Sequence, residues 1–530
     1  MLIRVVDFKG ELPRRRSRLL PPGFAETAVN ARLEDGSVAP MRLALLEKGL
    51  EQPAETIFLH GDVWRAWPGD VSAVQGPIAD DRLYVTGDGV PKVIAGGQTY
   101  PLALPAPTAR PSVQIQGEPD EGTTPERVVY AYTWRTVLLE ESAPSRVSVR
   151  RQWSEGQTAL LTGFGNPPVG RGVTHVRIYK SQTSALGVTD LYFVAEVALE
   201  DLGPPGNRQW VHDPVENPLQ EVMGVADFDT PPNGMKGIIS MPNGMMAAFT
   251  GREVLFCEPF LPHAWPQKYR LVVDHDVVGL ASFGSVLAVL TKGAPYIAQG
   301  TSPESMVMEK VEGGLACLSR RGIVDLGYSA AYPSPDGLVM VSASGVQIVS
   351  RGLFTRDQWR ALRPDTFRAA AFDGRYIFAH DDGNGPSLGV IDLTQEQPFY
   401  VRSDFPAQTL HHDIERGQLY LLEDGVKIRK WQTEGAQPKT YRWRSGEFYL
   451  PQPSVFGAIL VEPDHAELCH GDRAVCRVFA DGVLKAQIPV TGNPARLPGG
   501  RLHTRWQIEI EGTMPVMSVA MAQTMEELTT

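Results

Sequence analysis

Short apolar runs alternate with polar, glycine-bearing turns along this chain, and the alternation repeats. The clearest copy is Asp373-Gly374-Arg375-Tyr376-Ile377-Phe378-Ala379, then a polar turn, then Gly389-Val390-Ile391. The phrase returns at Asn243-Gly244, Gly284-Ser285, Asp336-Gly337 and Arg416-Gly417, each time followed by an apolar strand, and an early copy is Asp81-Arg82-Leu83-Tyr84-Val85. The leading glycines stand at 244, 284, 337, 374 and 417, in steps of 40, 53, 37 and 43 residues. Such a period predicts a β-propeller of about six blades. A lone four-stranded blade cannot cover both faces, whereas stacked blades bury each face against a neighbour. Near-continuous apolar strands fit burial on both sides. Two β-sandwiches with similar hairpins would give a related pattern.

Helical periodicity is weak. The best stretches are 22–33, with Ala25, Ala28, Val29 and Leu33 on one face, and 355–363. The first predicts a short helix through 25–32, followed by a strand at Met41-Arg42-Leu43. The propeller rhythm breaks over 108–217. There Val128-Val129-Tyr130-Ala131-Tyr132-Thr133-Trp134, Thr174-His175-Val176-Arg177-Ile178-Tyr179 and Trp210-Val211-His212-Asp213 predict an inserted β-sandwich. An insertion of this size suits a surface loop whose ends lie close together. After about 446 the character changes again, with a hairpin at Asp481-Gly482 and strands near 506–512 and 516–522. The expected organisation is all-β: an arm and first propeller strands over 1–107, the sandwich over 108–217, blades over 218–445 and a small β domain over 446–530.

Composition sharpens this picture. The 530 residues include 52 glycines and 43 prolines, which read as many turns. A net charge of −11 argues against a surface that coats nucleic acid, yet suits a wall that phosphate must slide past. The four cysteines are scattered and predict free thiols in a reduced compartment. Met1-Leu2-Ile3-Arg4-Val5-Val6-Asp7 carries no secretory pattern, and no run has the length of a membrane-spanning helix. Arg14, Arg15, Arg16 and Arg18 could grip phosphate, but in an acidic chain they point to a protein partner.

The order of several phrases carries a resemblance. Leu19-Leu20-Pro21-Pro22-Gly23 with Asn30-Ala31-Arg32-Leu33-Glu34-Asp35-Gly36, Trp64-Arg65-Ala66-Trp67-Pro68, Asp81-Arg82-Leu83-Tyr84-Val85-Thr86-Gly87-Asp88-Gly89, the 256–266 stretch and the closing 522–528 stretch follow one another. Together they resemble a family of tailed-bacteriophage virion proteins, the tail nozzle or tail tubular protein B of short-tailed phages. The Tyr-Thr-Trp strand and Arg-Ile-Tyr strand of 108–217 look like a fibronectin type III-like module. The resemblance implies a structural subunit made in the host bacterial cytoplasm and placed in the virion tail. It implies a ring of identical copies, a hexamer, around the DNA exit channel. Such a ring would meet a tail adaptor or other tail proteins and pass genomic DNA without binding it specifically.

Catalytic patterns are scarce. Gly163-Phe164-Gly165 and Gly170-Arg171-Gly172 lead into no Lys-Ser/Thr helix, so no phosphate loop is expected. Asp274-His275-Asp276 and His411-His412-Asp413, the latter expected at a strand start, lack a spaced further ligand, as does Cys469-His470 with Cys476. His263, among prolines, reads as a packing or hydrogen-bonding group. His380-Asp381-Asp382-Gly383-Asn384-Gly385 lacks the Glu of a calcium loop and reads as a solvated turn. No catalytic residue, metal or cofactor is assigned, and no enzyme is expected. The alternatives are a tail-tip or baseplate component of a longer-tailed phage, or a propeller enzyme or binding protein acting on host surface polysaccharide. The enzyme would need paired carboxylates such as Asp274 and Asp276. The binding protein would place its site in 108–217.

Overall fold

The computed structural model describes residues 1–79, 81–183, 189–466 and 468–528. Over these residues the chain is all-β, with a single α-helix at Arg356–Ala361. Its recurring element is an antiparallel run of four strands. Arg368–Phe372, Arg375–Asp381, Pro386–Asp392 and Phe399–Ser403 form one such run. Others cover 72–101, 236–272, 277–310 and 324–348, and a further run joins 407–430 to Leu45–Gly49. The repeating glycines fall at the turn into each second strand. At Asp373-Gly374 the flanking Phe372 pairs with Arg375, so the turn has two residues. Both have positive φ, 50° and 73°, the geometry that favours Asp or Asn before Gly. Asp481-Gly482 repeats it with φ of 49° and 84°.

The chain divides into two compact units. The first takes 1–70, 278–298 and 309–530; the second takes 71–277 and 299–308. In the first unit, the 368–403 run does not stop at its fourth strand. It continues through Lys9–Glu11, Phe24–Val29, Tyr441–Ser445 and His503–Gly512 into Ala474–Ala480 and Val483–Pro489. A smaller sheet pairs Leu2–Val5 with Val516–Ala522, which in turn pairs with Ala458–Pro463. Strands from 446–530 therefore share sheets with strands from the first thirty residues. The core beneath them includes Phe8, Tyr376, Phe378, Trp443, Trp506 and Ile508, all 0–1% exposed. Phe8 meets the edge of Trp443 at 4.8 Å between ring centres.

The helix expected over 25–32 is absent. Phe24–Val29 is a strand, and Ala31–Arg32 is another. The physical reason is a bulge. Pairing with Tyr441–Ser445 shifts register between Ala25 and Thr27. The extra residue lets Ala25 and Ala28 both face the core, imitating helical spacing. Asn30 then turns the chain at φ 54°. Its side chain accepts from Ser403 Oγ at 2.9 Å and donates to the Thr440 carbonyl at 3.2 Å. The strand expected at 41–43 is instead a single bridge from Arg42 to Pro438, and the strand begins at Leu45. The second helical stretch does form. Thr355 and Gln358 cap each other, and Trp359 buries its ring and donates to the Ser334 carbonyl at 2.8 Å.

In the second unit, the 72–101 and 236–272 runs share a core of Tyr84, Val93, Leu102, Met246, Leu255 and Trp265. Between them in sequence lies a β module over 112–212. Its two main sheets order as Ser112–Gln116, Thr158–Thr162, Gln209–His212 and as Tyr130–Thr136, Val173–Thr183, Thr189–Ala198. Tyr130, Tyr132, Trp134, Leu161, Val176 and Ile178 fill its core. The open edge of Tyr130–Thr136 is covered by a serine segment. Ser142, Ser145 and Ser148 each donate a backbone N–H to that strand at 2.8–3.0 Å. Their hydroxyls accept from the Trp134, Tyr132 and Tyr130 amides at 3.0–3.1 Å.

If the N-terminal strands are integral to the first unit, removing a buried ring there destabilises the whole unit. Phe8→Ala is expected to cost about 3–5 kcal/mol. The urea midpoint of the first unit reports it; an unchanged midpoint shows that the N-terminal segment packs independently.

Candidate interface and buried polar sites

The arginine segment is fastened at both ends. Gln358 Nε2, from the capped helix, donates to the Pro13 carbonyl at 2.7 Å. Arg14 donates its amide to the Leu353 carbonyl at 2.9 Å and Nη1 to the Arg351 carbonyl at 2.8 Å. Glu447 N donates to Ser17 Oγ at 3.2 Å. Arg14, Arg15, Arg16 and Arg18 are all exposed. Among the described residues Arg15, Arg16 and Arg18 have no ion-pair partner. The structure thus presents a short cationic row on an immobilised backbone. Guanidinium groups placed so can pair two-pronged with carboxylate or phosphate.

The histidine–aspartate triplets do not converge. His411 closes the strand Ala407–Asp413 rather than opening one. Its Nε2 accepts from the Leu59 amide at 3.2 Å, and its ring packs on Trp64 and Tyr420. Burial lowers its pKa to about 4; Asp413 opposes this, while His412 and Arg321 add to it. His412 meets Phe372 edge-on at 5.3 Å. Asp274, His275 and Asp276 are exposed on the connection into Val277–Phe283, with Arg252 Nε 3.6 Å from Asp276. Among the described residues no group of three or more His, Cys, Asp or Glu is placed to hold a metal. The 380–385 turn is a hairpin turn, with Asp381 accepting from the Gly383 amide at 2.8 Å. Cys257, Cys317 and Cys476 are buried, and burial pushes each thiol up to about 12; Cys469 is exposed.

The second unit holds a buried charge cluster. Arg171 and Glu140 form an ion pair at 1% and 3% side-chain exposure. His263 Nε2 must donate to the Glu141 carbonyl at 2.9 Å, which leaves Nδ1 as the lone pair, 3.8 Å from Glu140 Oε1. Burial lowers the His263 pKa, against the pull of Glu140. Glu141 accepts from Thr133 at 2.7 Å and Tyr179 at 2.5 Å and pairs with Arg177. His263 is a hydrogen-bonding residue, as expected. Local patterning carries no hint that Glu140 and Arg171 meet, because 31 residues separate them. A glycine on each side of Arg171 is the one local sign: Gly172 has φ 65° and no room for a Cβ beside Val137. Sequence patterns also missed a cavity in the 112–212 module, lined by Trp153 and Lys180.

No family model and no curated protein matches the sequence. Among solved structures the chain is similar to the WD40 domain of Neurospora crassa Pan2, at 9% identity over 70% of this chain and 91% of that one, TM-score 0.28. It is similar to PorZ, a surface component of the type-IX secretion system of Porphyromonas gingivalis, at 12% identity over 90% and 77%, TM-score 0.26. It is similar to the extracellular domain of BT4673 from B. thetaiotaomicron, at 11% identity over 94% and 79%, TM-score 0.27. At these scores nothing about function follows.

Two outcomes follow from the buried groups. Glu140→Ala leaves Arg171 buried and unpaired, and should destabilise the second unit by about 3–5 kcal/mol. Pairing Glu140→Leu with Arg171→Met should recover most of that; urea unfolding of single and double variants checks it. His411 carries a folded-state pKa below its unfolded value of about 6.5. Above that pH both states are neutral. As pH falls toward 4 the unfolded state takes up the proton first, so stability is lost, on the order of 3 kcal/mol from this group. Urea midpoints of the first unit at pH 7, 5.5 and 4.5 should fall accordingly (values chosen to span about 2.5 pH units). His411→Gln should flatten the fall; an equal slope in both proteins rejects the assignment.

Proposed function

We propose that this chain is a structural subunit of a phage tail nozzle, forming a ring around the DNA exit channel that retains the genome and then passes it. What supports this most is the order of family-like phrases at 19–36, 64–68, 81–93, 256–266 and 522–528. Strand pairing is compatible. The 81–93 phrase supplies Leu83–Gly87 and Gly89–Ala95, the two central strands of their run. We take the four-stranded runs as propeller blades, about six in number, with Leu45–Gly49 as the strand that completes the last. We take the 112–212 module as a fibronectin type III-like insertion.

The action is mechanical rather than catalytic. Identical copies close the ring, with a hexamer expected. The row of Arg14, Arg15, Arg16 and Arg18 is assigned to the contact with a tail adaptor or neighbouring tail protein. The chain's net charge of −11 disfavours lasting contact with phosphate, so DNA passes without specific binding. The protein works in the virion tail after synthesis in the bacterial cytoplasm; among the described residues no helix is long and apolar enough to cross a membrane.

Purified protein imaged by negative stain, beside particles of the phage that encodes it, tests the reading. Sixfold rings with a central hole, matching density at the tail end, are the expected outcome. A monomer that labelled antibody cannot find in any virion would sink it.

A further inference from the structure

The 112–212 module and the 213–219 segment after it line a half-open cavity of about 800 Å³. One wall is Trp153, whose strand Arg151–Trp153 pairs with Glu126–Val128. Another is Lys180, on the strand Val173–Thr183. Trp153 is held in place by donating Nε1 to the Gln157 carbonyl at 2.8 Å. Gln157 fixes the adjoining turn, accepting from Ser154 N at 2.9 Å and donating to the Gly117 carbonyl at 3.0 Å. Across the cavity, Asp213 accepts from the Val215 amide at 2.9 Å and shapes the opposite loop.

Lys180 is the unusual group. It is 4% exposed, and its Nζ lies 3.6 Å from the centre of the Trp153 ring. Among the described residues its ammonium has no hydrogen-bond or ion-pair partner. Burial lowers its pKa, and the more distant Glu126 only partly offsets that. An ammonium carries three donors, and those turned from the ring open to the cavity rather than to a protein acceptor. The ring face compensates in part through a cation–π contact. The remaining donors need acceptors, and the cavity is where they can come from.

The rim decides which kind. Glu121, Glu126, Glu155 and Asp213 line the same cavity. Four carboxylates around one lysine repel an anionic ligand, so the acceptor offered to Lys180 is a neutral oxygen. The same carboxylates accept from hydroxyl donors. Trp153 and Leu219 add apolar surface, and Thr124 and Thr158 add hydroxyls. A molecule that presents hydroxyls both as acceptors and donors, and an apolar C–H face between them, satisfies every wall. The size lies within the usual range of ligand cavities.

We propose that this cavity binds a neutral polyhydroxylated ligand, a short segment of an uncharged glycan, with Lys180 donating to its hydroxyl oxygens and Trp153 packing on its C–H face. The site does not rest on the nozzle reading: it would serve a tail protein touching a host surface or a protein with no virion role.

The full-length protein is titrated with maltohexaose, cellohexaose and N-acetylchitohexaose, and with hexagalacturonate as the charged counterpart. Saturation-transfer NMR and calorimetry are the readouts. At least one neutral hexasaccharide should bind with a Kd of about 1 mM or tighter. Trp153→Ala and Lys180→Met should each weaken it by about tenfold or more, while Glu434→Gln, exposed and in the first unit, leaves it unchanged. Should Trp153→Ala unfold the module, as circular dichroism would reveal, Lys180→Met and Lys180→Gln carry the comparison. Binding of none of the three neutral sugars overturns the proposal. So does binding indifferent to Lys180 and Trp153, or tighter binding of hexagalacturonate.

Discussion

Every strand in this protein must find partners for its backbone N–H and C=O groups, and that demand shapes the chain more than any side-chain contact. An unpaired sheet edge leaves such groups open and invites association. The first fifty residues answer much of this need in the first unit. Leu45–Gly49 pairs along Lys427–Lys430 as the fourth strand of its run. Lys9–Glu11 and Phe24–Val29 connect Phe399–Ser403 to Tyr441–Ser445. Leu2–Val5 covers the edge of Val516–Ala522. The fit is close at Gly10, where a Cβ would lie 2.4 Å from Phe399 Cδ2 and 2.6 Å from the Tyr400 carbonyl oxygen. In the second unit Ser142, Ser145 and Ser148 do the same work for Tyr130–Thr136, using hydroxyls as well as amides.

Long-range pairing of this kind has a kinetic consequence. The N-terminal strands pair with segments hundreds of residues later, so they cannot settle until the end of the chain is available. Loop closure over such separations slows folding. Until then Phe399–Ser403 and Tyr441–Ser445 each lack a neighbour. The arginine segment lies between Lys9–Glu11 and Phe24–Val29, and is put in place by the same late event. Its fixed geometry is therefore a by-product of sheet completion.

Local signals were legible in the sequence and non-local ones were not. The glycine positions 244, 284, 337, 374 and 417 marked turns because a positive φ in a tight hairpin constrains one or two neighbours only. The strands of 128–134, 174–181 and 516–522 were visible from composition. The segment 22–33 misled because a bulge at Ala25–Thr27 mimics the i, i+3 spacing of a helix. The separateness assigned to 446–530 failed to anticipate that its strands are hydrogen-bonded to 1–29, since pairing partners leave no mark at a distance. The sites followed the same rule. His263 was read correctly from its proline-rich surroundings. The Glu140–Arg171 pair and the Trp153–Lys180 contact join residues 31 and 27 positions apart, and each partner alone looks like an ordinary surface residue.

On the proposed reading, charge distribution bears on why the exposed arginines would meet a protein partner rather than nucleic acid. The chain carries 61 acidic and 50 basic side chains, so a polyanion approaching it meets net repulsion at long range. That repulsion falls off within about 10 Å at ordinary salt. A row of guanidiniums on a pinned backbone acts inside that distance, where shape and two-pronged hydrogen bonding matter more than net charge. Because Pro13, Arg14 and Ser17 are already bonded to 351–358 and 447, binding there orders side chains and not the main chain, which lowers the entropic cost of association. A folded surface with fixed carboxylates can match such a row residue by residue. On the proposed reading, contact at 14–18 would therefore tell a docked neighbour from passing DNA without any change in overall charge.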